Sequence, residues 1–308
     1  MILSFMIFQA CSSAEQTYNF GGKEEATDAT ISFGESDADI IFDTPVFTIP
    51  PYTEKQHCYF LTYEGPDVAV VAGSGTQNSE FGHHVLPALS SVSEDTYPDG
   101  DVVDCTEKWV DAEPMIEVTE LAGDGTFSFD LPQGLGRKLD SGQRIMINSH
   151  HINTTGNPIT VNDRIELHVE STDVIDTYVA PFWHSPPNLY IPPGRQEISH
   201  TCSITQDLTF LYVMGHMHEH GVEFSIDHHR LDGTTERIYE VLEWDAVYRN
   251  VPPVNYFDLH SFTIKEGESV TTTCIYQNDT TGDLEFPAEM CTAIGIVYPA
   301  EEAFECYE

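Results

Sequence analysis

The chain has 308 residues, 40% of them hydrophobic, enough for one large or two ordinary packed domains. Only 12 Lys and Arg stand against 51 Asp and Glu, a formal charge of −39. The acids are scattered along the chain, so they solvate the surface and repel phosphate backbones, which excludes nucleic acid as an expected partner.

The chain opens on MILSFMIFQACSSAEQ, a short apolar run ending in Phe-Gln-Ala-Cys and then Ser-Ser. Residues 1–11 read as an export segment that resembles a bacterial lipoprotein signal, with Cys11 as the lipidated residue, although the usual basic start is missing. The expected location is outside the cytoplasm: periplasmic, anchored at the outer membrane through a Cys11 lipid, or secreted. No stretch offers the about 20 apolar residues that span a bilayer. Residues 12–40 are acidic, contain several glycines, and read as a flexible leader.

From there the chain is a series of short, mostly alternating β-branched or aromatic runs. They are PDVAVVAG, TFSFDLP, RIMINSH, RIELHVEST, LTFLYVMGHMH, VEFSIDHH and SVTTTCIYQN, separated by Gly, Pro, Asn and Asp clusters. This predicts an all-β protein. A Pro- and aromatic-rich stretch over 170–196 breaks the series and divides it into domains at 41–175 and 176–308. The expected architecture is two tandem jelly-roll-like antiparallel β-sandwich domains.

Seven cysteines are present. Setting Cys11 aside leaves Cys58, Cys105, Cys202, Cys274, Cys291 and Cys306, none in a C-x-x-C pair, which argues against a thiolate zinc knuckle. In an exported protein they are expected to form three disulfides, whose pairing the count leaves open.

Four segments carry residues that can hold a metal. EFGHHVLPAL contains His83 and His84, which would face opposite ways on a regular strand, so joint ligation needs a strand end or bulge. The plain alternative is one buried and one exposed ring. RIMINSHHINTTGNP ends an alternating strand with His150 and His151, and Asn153 follows His150 by three; a polar strand end is the plain alternative. GHMHEHG places His216, His218 and His220 at alternate positions, and on a strand all three share a face. Histidine serves Zn, Cu, Fe and Ni alike. His220 could be a third imidazole, or Glu223 could join as in the cupin His-x-His-x4-Glu motif, whose flanking glycines are replaced here by Phe210 and Arg230. Last comes Met290, in Glu-Met-Cys. Most methionines are core filler, but a thioether is a soft ligand that suits Cu(I).

Together these four segments resemble the copper type II, ascorbate-dependent monooxygenases, which include the peptidylglycine-hydroxylating and dopamine-type enzymes. Their order agrees from about residue 40 to the end. So do Cys202 ahead of His-x-His, Gly221 after it, and the C-x-Y-x-N of Cys274, Tyr276 and Asn278. His151 stands where Tyr is usual, with Asn153 in register. The lipoprotein-like start marks the expected protein as a bacterial member. The resemblance implies two coppers per chain. His83, His84 and His150 would hold the copper that stores and delivers an electron. His216, His218 and Met290 would hold the copper that activates O2 for hydrogen abstraction from a substrate C–H bond. The resemblance also implies ascorbate or another one-electron reductant as co-substrate, and the pairings Cys58–Cys105, Cys202–Cys306 and Cys274–Cys291.

Peptide-amidating members grip a carboxylate with an Arg two residues before His-x-His, and with Asn and Tyr two and four residues after the ligand Met. Met214, Thr292 and Ile294 stand at those positions here and supply no charged donor. The implied pocket is more apolar and suits a neutral or cationic small molecule, not a glycine-extended peptide. No protein partner is expected. Two other functions fit the same residues: a non-catalytic copper-binding surface lipoprotein, and a cupin-like enzyme with a single metal on His216, His218 and Glu223, with His220 as an optional further ligand.

Overall fold

The computed structural model describes residues 16–18, 29–33, 39–77, 82–106, 112–115, 126–249, 251–286 and 288–306. Cys11 lies outside them. Among the described residues there are strands and two short 3-10 turns, with no α-helix and hence none that could cross a membrane. The protein is an all-β sandwich whose strands pair antiparallel apart from two short parallel pairings, Leu135–Leu139 with Thr177–Tyr178 and Ala180–His184 with Phe304–Cys306.

In the N-terminal half, the strands that carry the argument are β1 (Thr53–Thr62), β2 (Val68–Gln77), β3 (Gly82–Ser90), β4 (Arg144–Asn153) and β5 (Asp163–Ser171). β4 lies between β1 and β3 in a five-stranded sheet, and β5 lies beside β2 in an eight-stranded one. Alternation gives each sheet one apolar face. Tyr59, Leu61, Val85, Ile145 and Ile147 from the first sheet meet Val68, Val70, Ile165 and Leu167 from the second in one core. Part of the segment expected as a flexible leader is strand: Ala29–Phe33 pairs with Asp39–Asp43, and Gln16–Tyr18 with Ala29–Phe33. The alternating run Ala-Thr-Ile-Ser-Phe within that acidic stretch explains why it can join a sheet edge.

In the C-terminal half the corresponding strands are β6 (Ala180–His184), β7 (Gly194–Ser203), β8 (Leu208–His216), β9 (Gly221–His229), β10 (Ser269–Asn278), β11 (Thr292–Tyr298) and β12 (Phe304–Cys306). The order β8-β11-β6-β12 runs through one sheet and β7-β10-β9 through the other. Phe182, Phe210, Val213, Phe224, Ile226 and Val270 fill the space between them.

Among the described residues, strands up to Tyr178 pair only with one another, and so do strands from Ala180 onward. Side chains join the halves. Leu211, Ile296 and Tyr298 belong to the N-terminal core. The buried Arg137 donates to the carbonyl of Glu301 at 2.6 Å. The disulfides are Cys58–Cys105, Cys202–Cys306 and Cys274–Cys291, the three pairings that the resemblance implies. Cys202–Cys306 ties β7 in one sheet to β12 in the other.

Two histidines are buried between the C-terminal sheets. The rings of His184 and His200 lie 4.1 Å apart, and the Thr272 hydroxyl is 2.8 Å from His184 Nδ1. Burial pushes His184 down to about 3, with His200 adding to the effect, and His200 down to about 4. The His184 carbonyl favours the charged His200 ring, but it is not in hydrogen-bonding geometry with it. Both rings are therefore neutral in the fold. Once unfolded, each takes up a proton around its ordinary 6.5. The pair's contribution to stability is whole above that pH and is lost as the pH falls from 6.5 toward 4 and 3. Denaturant titrations at about pH 7 and about pH 4 should show this loss, and the double variant His184→Leu/His200→Leu should lose less. Equal losses in the two proteins would contradict the assignment.

Candidate metal centres

His216 is the last residue of β8 and pairs with Thr292, the first residue of β11. The strand stops there, and residues 217–220 turn toward β9. A single strand bearing all three histidines is thus not what forms. The physical reason is Glu289, a fully buried carboxylate. Its Oε2 accepts the backbone N–H of His218 at 3.0 Å, and its Oε1 that of His220 at 2.8 Å. Those two donors leave the sheet ladder and bend the segment around the carboxylate. Burial raises the Glu289 pKa, and the two peptide donors pull it back.

The same segment orients the His218 ring. Its Nδ1 lies 3.0 Å from the Ala288 carbonyl, which can only accept, so Nδ1 carries the hydrogen and the neutral ring keeps its lone pair on Nε2. That Nε2 is 3.2 Å from His216 Nε2. Two imidazoles bound to one ion at about 2.0–2.1 Å and a tetrahedral angle would hold their nitrogens about 3.3 Å apart. The observed spacing therefore suits two ligands of one ion. Burial also lowers the His218 pKa, which keeps the ring in its ligand form. Met290 follows Glu289 directly, and its carbonyl accepts from the Tyr276 hydroxyl at 2.5 Å. Residues 288–290 are thus hydrogen-bonded to the histidine turn and to β10. This seats the thioether-bearing residue next to groups that contact His218.

Met214 and Ile294 are cross-strand partners on the same side of the sheet as His216 and Thr292, by period-2 alternation. All three predicted pocket residues are buried, and Thr292 shares a 2.7 Å hydrogen bond with Ser185. Glu223 is engaged elsewhere: it accepts from Arg195 at 2.7 Å, on the outer side of the other sheet. The cupin-like ligand set is therefore not assembled.

In the N-terminal half, His84 and His150 are direct cross-strand partners on β3 and β4, with ring centroids 4.8 Å apart. The ladder shifts register between His150 and His151, which next pairs with Gly82, so His83 falls in a bulge. The bulge relaxes the strand geometry that would otherwise keep adjacent histidines on opposite faces. The His83 side chain lies outside the described residues. His150 Nε2 lies 2.7 Å from Glu54 Oε1, and His84 Nε2 lies 2.9 Å from Asn148 Oδ1. Both oxygens accept, so each neutral ring presents its lone pair at Nδ1, in the arrangement by which a carboxylate or amide orients a metal-binding histidine. His151 turns inward. Its Nε2 is 3.1 Å from Asp163, whose carboxylate also takes the Ser149 hydroxyl and which burial raises to about 7.

Sequence reasoning missed Glu289, Glu54, Asn148 and the buried His184 and His200. Glu289 stood in plain view in Glu-Met-Cys, and His200 shares one strand face with Cys202. Nothing local sets Glu54 apart from the other acids.

The fold and these clusters define an all-β protein whose imidazoles, in two separate places, suit a late first-row transition metal. Residues 182–308 match the family described as copper type II ascorbate-dependent monooxygenase, C-terminal domain. That match supports a copper- and ascorbate-dependent monooxygenase domain in the C-terminal half. No curated protein matches the chain. Among solved structures, Sulfolobus turreted icosahedral virus aligns at 10% identity and TM-score 0.25, covering 92% of this chain and 75% of that one. Infectious bursal disease virus Gt strain aligns at 10% identity and TM-score 0.22, covering 94% and 72%. The ANXUR2 extracellular domain from Arabidopsis thaliana aligns at 8% identity and TM-score 0.20, covering 96% and 91%. No shared fold follows from scores this low.

Glu289→Gln tests the carboxylate's role. The amide keeps one acceptor but turns an NH2 group toward a peptide N–H. Copper(I) affinity at the His216/His218 centre is expected to drop roughly 10- to 100-fold, read by chelator competition. An unchanged affinity in the folded variant would remove Glu289 from the site.

Proposed function

We propose that this protein is an exported copper monooxygenase that hydroxylates a C–H bond of a small organic substrate, using O2 and an external reductant such as ascorbate. The observation that carries this reading is the His216/His218 nitrogen pair at metal-sharing distance, inside the segment that matches the copper monooxygenase domain. In this reading His216, His218 and Met290 hold the copper at which hydroxylation occurs, and His83, His84 and His150 hold the one that supplies an electron. Bound copper would supply one-electron redox and O2 chemistry, and the thioether favours its Cu(I) state.

The chain's own groups do the rest. Ala288 fixes the His218 tautomer, and Glu289 holds the turn that carries it. Met214 and Ile294 keep the sheet face beside His216 apolar and water-poor. They offer no cation for a substrate carboxylate, and the overall charge of −39 disfavours anions at long range. This supports a neutral or cationic substrate. Three disulfides suit an oxidising compartment, and a lipid on Cys11 would attach the protein to a membrane.

The purified chain is expected to hold two copper ions and, once reduced by ascorbate, to consume O2 in a substrate-dependent way. A copper carrier would show no such uptake, and a lone Fe, Mn or Zn would overturn the proposal. Met290→Ile should leave the fold intact and reduce hydroxylation to background, while full activity would free Met290 from its role. A glycine-extended peptide should give no amidated product by mass spectrometry.

A further inference from the structure

Three more potential ligands converge in the C-terminal core, with a fourth beside them, on the sheet face opposite His216. His200 and Cys202 are two residues apart on β7 and share its inward face. His184 on β6 is the direct partner of Cys306 on β12. One ligand atom each from His184, Cys202 and Cys306 lies within 4.8 Å of the others, and all three residues are buried. The His200 ring packs against that of His184 at a tilt of 55°. His184 is fully buried and His200 is 8% exposed, yet His184 Nε2 and both His200 nitrogens have no hydrogen-bond partner. Orphaned polar atoms in a dry core are costly and call for an ion or a water. The Thr272 hydroxyl, bonded to His184 Nδ1, fixes that ring with Nε2 directed elsewhere.

We propose that these residues form a second kind of metal site, gated by redox state: reduction of Cys202–Cys306 yields a buried tetrahedral His2Cys2 set that binds Zn2+. Two thiolates and two imidazoles are a structural-zinc donor set, with zinc–sulfur distances of about 2.3 Å and zinc–nitrogen distances of about 2.0–2.1 Å. Donors at those distances lie roughly 3.3–3.8 Å apart; the ligand atoms of His184, Cys202 and Cys306 already lie within 4.8 Å of one another, and the His200 ring beside His184 has to turn toward them. A dithiol or phosphine delivers two electrons to the disulfide and is itself oxidised. The S–S bond breaks into two thiols, and Zn2+ displaces their two protons. Disulfide and zinc are then alternative staples for β6, β7 and β12. The metal form holds the sandwich together where thiols stay reduced; in an oxidising compartment a small-molecule disulfide takes two electrons from the thiolates and is itself reduced to thiols, Cys202–Cys306 re-forms and the ion leaves. The proposal does not depend on monooxygenase activity.

The test uses the full-length chain, stripped of metal and reduced with a phosphine. One equivalent of Co2+, as a probe for zinc, should give thiolate-to-cobalt charge-transfer and tetrahedral d–d bands, which Zn2+ then displaces. Zn2+ should raise the thermal midpoint of the reduced chain by roughly 5 °C or more. The oxidised chain should show no thiolate bands, and only the smaller Zn2+ shift that its copper-centre imidazoles give. His184→Leu/His200→Leu keeps every thiol and all the copper-centre histidines, and should lose the full-strength bands and the part of the midpoint shift that exceeds the oxidised chain's. Bands of full strength in that variant, or a midpoint unmoved by Zn2+ in the reduced wild type, would overturn the site. Zinc-edge absorption on the wild type needs no variant: two sulfur and two nitrogen scatterers support the site, and an all-sulfur or sulfur-free shell refutes it.

Discussion

One buried carboxylate organises the C-terminal centre. Glu289 accepts peptide N–H groups from His218 and His220, the first of them 71 residues away in sequence. A carboxylate makes stronger hydrogen bonds than the neutral carbonyl of a neighbouring strand, so the β8 ladder ends at His216 and the next residues wrap around the acid. That bend lets His218 Nε2 approach His216 Nε2 across a turn. The bond from His218 Nδ1 to Ala288 and the position of Met290 both follow from the same docking of residues 288–290.

The N-terminal half solves a similar problem by another route. A regular ladder would send adjacent histidines to opposite faces, and His150 and His151 show that outcome. One ring meets Glu54 and the other is buried against Asp163. For His83 and His84 the ladder breaks at a bulge. The two halves thus bring imidazoles together with different devices, the cross-strand pairing of His84 with His150 in one and a carboxylate clamp in the other. In both places a hydrogen-bond acceptor on one ring nitrogen settles where the other nitrogen's lone pair points.

The C-terminal core is less apolar than a sandwich requires. It holds two neutral histidines beside a disulfide, although burial strongly disfavours charging either ring. Groups of this kind are costly unless something repays them, and their placement at the junction of three strands ties that cost to how the sheets are fastened together.

Much of this protein is legible in the linear sequence, because the determining signals are local. Period-2 alternation marks the strands: LTFLYVMGHMH runs over 208–218 and the strand over 208–216, while SVTTTCIYQN coincides with β10. The cysteine count suggests three disulfides, and the family resemblance, rather than the count, implies which cysteines join. The His-His, His-x-His and Glu-Met-Cys segments also stand out without a fold. Other features were set only by tertiary structure. The strand end at His216 depends on an acid from a remote segment, and among 51 Asp and Glu nothing local marks Glu289 or Glu54 as buried or bound. The meeting of His184 with His200 joins strands from opposite sheets. Hydrogen bonds and burial of this kind are set by which strands pack face to face, and residue spacing along a chain carries no record of that choice.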